Sequence, residues 1–208
     1  SVDRNGLVTA VDRGQAPIMV RFEGHAEIAM FVIPFAAAAK LPGWKNNNFF
    51  DEFAAAKFRE LGLEPSPLCD DATFIRRAYL DTVGALPTAA QTTAFIDLDD
   101  PAKRENLVDQ LLGLTGDAAL DVYNDQYAAF WTLKWSDLIR NNSNDLGEQG
   151  MWALHNWIKE SLRTNKPFDQ FVRELVTAKG SIYSSGPANY FRIHRDSSAR
   201  TEATAQLF

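Results

Sequence analysis

The chain of 208 residues has a single cysteine, Cys69. One thiol cannot close an internal disulfide or build a multi-thiolate zinc site. With no His and Asn partners at catalytic spacing, it reads as a plain thiol. Positive charge is also scarce. Against 27 Asp and Glu there are 21 Lys and Arg, a net charge of -6, whereas a nucleic-acid surface needs a concentrated positive field. No nucleic-acid partner is therefore expected. No apolar run reaches the roughly 20 residues that cross a bilayer, since Ile28–Ala39 is broken by Pro34 and stops at Lys40. No membrane span is expected either. The first residues include no Met and no basic-then-apolar leader.

Catalytic motifs are missing as well. His25, His155 and His194 are scattered, and the chain holds no His-Glu-x-x-His pair, no Gly-x-Ser-x-Gly elbow and no Gly-rich phosphate loop. Carboxylates are plentiful, but none is set so that one would raise the pKa of another, as a glycosidase pair requires. No catalytic residue is nominated.

What is present changes character near residue 35. Asn5-Gly6 is a turn dipeptide leading into Leu7–Val11. Gly14 precedes Ile18–Phe22, and Gly24 precedes Ile28–Ile33, which Pro34 ends. These runs predict three short strands. Three such strands enclose no core and leave open edges, so something should cover them. Residues 35–48, with Pro42-Gly43 and Asn46-Asn47-Asn48, read as a linker.

From residue 48 on, periodicity predicts seven helices. Asn48 or Asp51 caps the first, which Gly62 stops, and Asp70 or Asp71 caps the second, which Gly84 stops. Thr88 and Gln91 form a capping box for the third, and Asp100-Pro101 opens the fourth. The fifth spans about 118–140, the sixth, apolar around most of its circumference, about 149–163, and the seventh follows Pro167. A further helix starts near Ser198. The fold class expected is mainly α, a multi-helix orthogonal bundle with a small N-terminal β segment.

Three constellations invite a chemical reading. Arg77 and Asp81 stand four apart on one helix face, and with Arg76 they suggest either an anion clamp or, more simply, an ion pair. Trp131 and Trp135, also four apart, make an aromatic strip that stacks a sugar, faces a porphyrin or fills a core. Asp137 and Arg140 beside them read as another pair. Asn141–Asp145 with Glu148 is rich in oxygen ligands but lacks the calcium-loop spacing, so a solvated loop is expected there.

The strand pattern V-D-R-N-G-L-V-T-A-V-D-R-G-Q-A-P-I-M-V-R-F, closing on Val32-Ile33-Pro34, resembles the second half of a bacterial immunoglobulin-like domain of the type-2 class. It implies a partial sandwich over residues 1–34, an adhesive or spacer unit outside the cytoplasm. The helical part carries A-T-F-I-R-R-A-Y-L-D-T-V-G-A-L-P-T, A-F-I-D, L-V-D-Q-L-L-G, Y-A-A-F-W-T-L-K-W-S-D-L-I-R and N-K-P-F-D-Q-F-V-R-E-L in order. Those segments resemble the planctomycete-type domain of unknown function associated with cytochrome c modules, over residues 49–208. The resemblance implies an extracytoplasmic, multidomain protein in which a Cys-x-x-Cys-His segment, absent here, follows the helix ending at Leu207-Phe208.

On that view these residues bind no cofactor themselves, and a c-type haem belongs to the parent protein. His194, Arg192 and Arg195 lie nearest the expected haem entry and are nominated as its neighbours, the arginines for a propionate. The partners implied are the remainder of the polypeptide and an unnamed redox or surface partner. The leading function is a non-catalytic scaffold serving electron transfer. The alternative is a cell-surface binding or spacer module, with Trp131 and Trp135 as a polysaccharide platform, and a hydrolase stands last.

Overall fold

The computed structural model describes residues 1–37 and 39–208; Ala38, inside the segment expected to be a linker, lies outside the described residues. The chain divides into two compact units, Ser1–Leu68 and Cys69–Phe208.

In the first unit, β1 (Gly14–Phe22) and β2 (His25–Ile33) form one antiparallel hairpin. Its two-residue turn, Glu23-Gly24, has both φ angles positive, 46° and 84°, the geometry whose twist matches paired strands. The register places Ile18, Val20, Phe22 and Phe31 on one face and Met19, Ile28 and Met30 on the other, and most of these side chains are exposed. The third strand expected at Leu7–Val11 does not form. The Asn5-Gly6 turn does, with Asp3 Oδ1 accepting from the backbone N–H groups of Asn5 and Leu7, but a single bridge, Val2 to Val8, follows it. β-Branched residues favour a strand only where a partner offers cross-strand contacts.

Helix α1 (Phe49–Leu61) completes this unit. Asn48 and Asp51 form a reciprocal capping box, and Gly62, at φ 65°, ends the helix. Gly62 is obligatory twice over, since its conformation is left-handed and any Cβ would strike the Ala36 backbone.

The second unit is helical throughout: α2 (Asp71–Val83), α3 (Ala89–Asp97), α4 (Lys103–Leu112), α5 (Asn124–Ile139), α6 (Ser143–Arg163), α7 (Phe168–Thr177), α8 (Asn189–Ile193) and α9 (Ser197–Leu207). The molecule is mainly α with a small N-terminal β segment, as the periodicity implied. Capping explains several boundaries. The carboxylate of Asp70 accepts from Thr73 N–H at the start of α2, Thr88 and Gln91 box the start of α3, and Asp196, rather than Ser198, caps α9.

Two apolar clusters hold the unit together. The first joins α2, α3 and α4 through Ile75, Tyr79, Val83, Phe95, Leu107 and Leu111, with Tyr123 and Tyr127 packed on it. The second joins the end of α5 to α6, α7 and α8 through Ile139, Leu146, Leu154, Ile158, Phe171, Leu175 and Tyr190. Each buried aliphatic side chain here contributes about 1.5–3 kcal/mol. Helix α5 serves both clusters, and between its two contact regions stand Ala128 and Thr132, both fully buried.

Two helices start elsewhere than periodicity predicts. α5 begins at Asn124, because residues 117–122 are spent on tight turns in which Asp117 O accepts from Leu120 and Asp121 N–H. α6 begins at Ser143, inside the stretch expected to be a solvated loop. Asn142 caps its first turn, accepting from Asp145 N–H, and Gly147, at φ 69° and ψ 164°, then breaks the run before it continues.

Candidate functional site

The nominated haem neighbours sit where α8 meets α9. His194 follows the last residue of α8, and tight packing there buries it to 7% exposure. Its ring meets that of Tyr190 edge to face, centroids 5.0 Å apart. Loss of water, reinforced by the positive charges of Arg140 and Arg200, holds its pKa below the usual histidine value. Both the packing and the nearby positive charges favour the neutral imidazole.

The arginines are occupied. Arg192 Nε donates to Asp145 O at 3.0 Å, fastening α8 to the first turn of α6, and Arg195 Nε donates to Arg192 O at 3.4 Å. Arg200, which sequence reasoning passed over, organises the junction. It donates to His194 O and Arg195 O and lies over the Phe191 ring, 4.7 Å from its centroid. An axial haem ligand needs an accessible imidazole nitrogen, and a covalent c-type haem needs two thiols. The lone Cys69 does not supply that pair, and His194 is packed beside Tyr190 while Arg192 and Arg195 donate to backbone carbonyls.

Trp131 and Trp135 are both half-buried but do not form a common strip. Trp131 Nε1 donates to Thr82 O at 2.9 Å at the end of α2, and its ring packs with Tyr127 and Phe130. Trp135 packs instead with Phe168, Phe171 and Phe208, lying nearly parallel to the last at 13°. Phe168 and Leu138, beside it, are exposed.

The two local ion pairs are not made. Arg77 and Asp81 are both exposed and stand in no ion pair among the described residues. An exposed pair gains little, and Arg N-terminal to Asp is the weaker orientation on a helix. Asp137 and Arg140 fail for a different reason. Arg140 adopts the left-handed conformation that ends α5, φ 64°, which turns its side chain off the helical track. Only its backbone N–H meets Asp137, at the carbonyl.

The pairing instead falls on Asp71. Its carboxylate meets Lys103 at 2.8 Å and Arg104 at 2.6 Å, joining the starts of α2 and α4, while Arg104 also donates to Cys69 O and lies over Phe74. Hydrogen bonds from Lys103 and then Arg104 hold the Asp71 pKa below its ordinary value. Among the described residues no three His, Cys, Asp or Glu side chains come together as a metal-binding group.

A second site was not visible in the sequence at all. Tyr79 of α2, Gln91 of α3 and Tyr123, just before α5, converge on a cavity of about 250 Å³ walled by Ile75, Phe95, Leu98 and Leu107. The Tyr79 and Tyr123 hydroxyls are 2.6 Å apart, and Gln91 Nε2 donates to the Tyr123 hydroxyl at 2.7 Å. Each of these residues reads locally as a core stripe or a cap, and their separations of 32 and 44 residues hide the triad.

A family model described as PSCyt2, a protein of unknown function (DUF1549), matches residues 49–207. No curated protein and no solved structure matches the chain. The matched span takes in α1 and every helix of the second unit and covers most of the sequence. The chain belongs to the PSCyt2 family, a planctomycete cytochrome-c-associated domain of unknown function.

Proposed function

We propose that the helical domain is a non-catalytic scaffold in an extracytoplasmic protein, packing against a c-type haem segment carried elsewhere on the same polypeptide and serving electron transfer. The observation that carries the reading is the aromatic corner at Trp135, Phe168 and Phe208, with Leu138 beside it, which stays partly exposed although the cluster beneath it is closely packed. Contiguous exposed apolar surface marks a place where something docks. The cytochrome association in the family description supplies the kind of partner.

In this reading the haem, when bound, supplies the one-electron chemistry, and the domain's own residues supply an apolar wall that keeps water from one edge of it. Residues 1–34 then act as a spacer. No helix among the described residues is long and apolar enough to cross a membrane.

The test is a pyridine haemochrome spectrum of the full-length polypeptide produced in a strain that matures c-type cytochromes. A c-type band, with a midpoint potential that moves in Phe168→Ser, supports the scaffold. A full-length protein that matures without c-type haem refutes it.

A further inference from the structure

The two phenols around the 250 Å³ cavity share an arithmetic that fixes what the cavity can recognise. Gln91 Oε1 accepts from both the backbone N–H and the hydroxyl of Thr88, each at 2.8 Å. Because a backbone N–H can only donate, the amide is locked with Nε2 toward Tyr123. Tyr123 oxygen therefore accepts from Gln91, and one further hydrogen bond links it to Tyr79. Two phenolic protons are available, and this link uses one. Whichever tyrosine donates to the other, one O–H is left without a protein acceptor, and both tyrosines line the cavity.

Besides the two phenols and Gln91, the polar lining among the described residues is Lys103 and the neutral amides of Asn106, which donates to Asp100, and Gln110, so no free charge faces a ligand. Among the described residues Lys103 is the one cation in the lining, and its ammonium is already committed to Asp71, Ile96 O and Leu98 O. No carboxylate lines the wall among the described residues, so a cation finds no charged partner there. Burial and the neighbouring Tyr123 push the Tyr79 pKa up, which keeps the phenol protonated and donating. An apolar cavity with a few converging polar groups is the ordinary form of a small-molecule site.

We propose that this cavity binds a small, neutral molecule with an apolar body and one carbonyl or ether oxygen, which accepts the spare phenolic proton. The site lies wholly within the second unit and does not depend on the haem reading. Because the spare proton belongs to the pair, either tyrosine alone still provides it: in Tyr79→Phe the Tyr123 proton is free, and in Tyr123→Phe the Tyr79 proton is free.

The experiment titrates the full chain, labelled with 15N, with acetophenone and separately with ethylbenzene, which has the same ring and chain but no oxygen. Acetophenone should shift amide resonances around Ile75, Phe95 and Leu107 and bind about three- to tenfold more tightly than ethylbenzene, the value of one neutral hydrogen bond. Both single variants should keep the preference, and the double variant Tyr79→Phe/Tyr123→Phe should lose it. Three results would each overturn the proposal: no shift at these residues up to the solubility of acetophenone, equal affinity for the two probes in the unsubstituted chain, or a preference that survives in the double variant. The comparison of probes in the unsubstituted chain stands even where the double variant fails to fold.

Discussion

Gly150 is a helical glycine whose replacement should destabilise the domain, against the expectation from helix propensity. In an exposed helix, Gly→Ala is worth about 1 kcal/mol in favour of folding. At position 150 the added Cβ would lie 2.7 Å from Asn189 Oδ1 and 3.3 Å from Leu146 Cβ. Asn189 is fully buried and cannot retreat freely, since its Nδ2 donates to Ile182 O at 2.7 Å and Gly186 O at 3.0 Å. Either the overlap persists, at about 1–3 kcal/mol, or the amide moves and both bonds are lost, at about 0.5–1.5 kcal/mol each. Set against the propensity gain, Gly150→Ala should cost up to about 2 kcal/mol net, a fall in Tm of up to roughly 8 °C for a chain of this size. Urea unfolding followed by tryptophan fluorescence reads the second unit, which holds Trp131, Trp135, Trp152 and Trp157. The decisive measurement is the cycle with Asn189→Ala. Once the amide is gone, Gly150→Ala should become neutral or stabilising. If it stabilises the unsubstituted protein, or costs as much in the Asn189→Ala background, contact with Asn189 is not what requires glycine here.

Three further perturbations follow from the same contacts. Asp71→Asn removes the link between the starts of α2 and α4. Because the folded Asp71 pKa lies below its unfolded value of about 3.8, the carboxylate stabilises the fold above that pH and ceases to as pH falls through the lower folded value. The variant should thus unfold at lower urea at neutral pH and show a shallower acid limb. His194 has the opposite charge type but the same sign of dependence: its folded pKa lies below 6.5, so the unfolded chain binds more protons in that window and stability falls as pH drops from 6.5. His194→Gln should flatten that slope in urea midpoints taken on either side of pH 6.5, and an unchanged slope would count against the buried neutral imidazole. Trp131→Phe keeps the ring packing but loses the bond to Thr82 O, and should cost about 0.5–1.5 kcal/mol in the same unfolding assay.

The caps were legible in the sequence because their chemistry is local. Asn48 with Asp51 and Thr88 with Gln91 satisfy helix-end N–H groups from within four residues, and Gly62 and Gly84 end helices in the left-handed conformation that glycine adopts without strain. The failures share the opposite property. Spacing pairs Arg77 with Asp81, yet the carboxylate that gathers two cations is Asp71, whose partners lie more than 30 residues away. Leu7–Val11 has the composition of a strand but meets one bridge partner. Asn141–Asp145 reads as a polar loop until Asn142 is seen to hold the first turn of α6. At the candidate sites, single side chains were visible and their company was not. His194 stands out in the sequence, but its setting is made by Tyr190 and Arg200, and the Tyr79, Gln91 and Tyr123 triad exists only once three helices have packed.

Helix α5 has a consequence for how the second unit comes apart. Its first half is clothed by the α2, α3 and α4 cluster and its last turns by the α6, α7 and α8 cluster. Either cluster can therefore loosen while the other still shields part of α5, but neither can be lost without stripping one end of it. Amide hydrogens at the fully buried Ala128 and Thr132 should be the slowest in the unit to exchange, a hinge pin common to two doors. A destabilising change in one cluster would then be felt in the other only to the extent that it unwinds this shared helix.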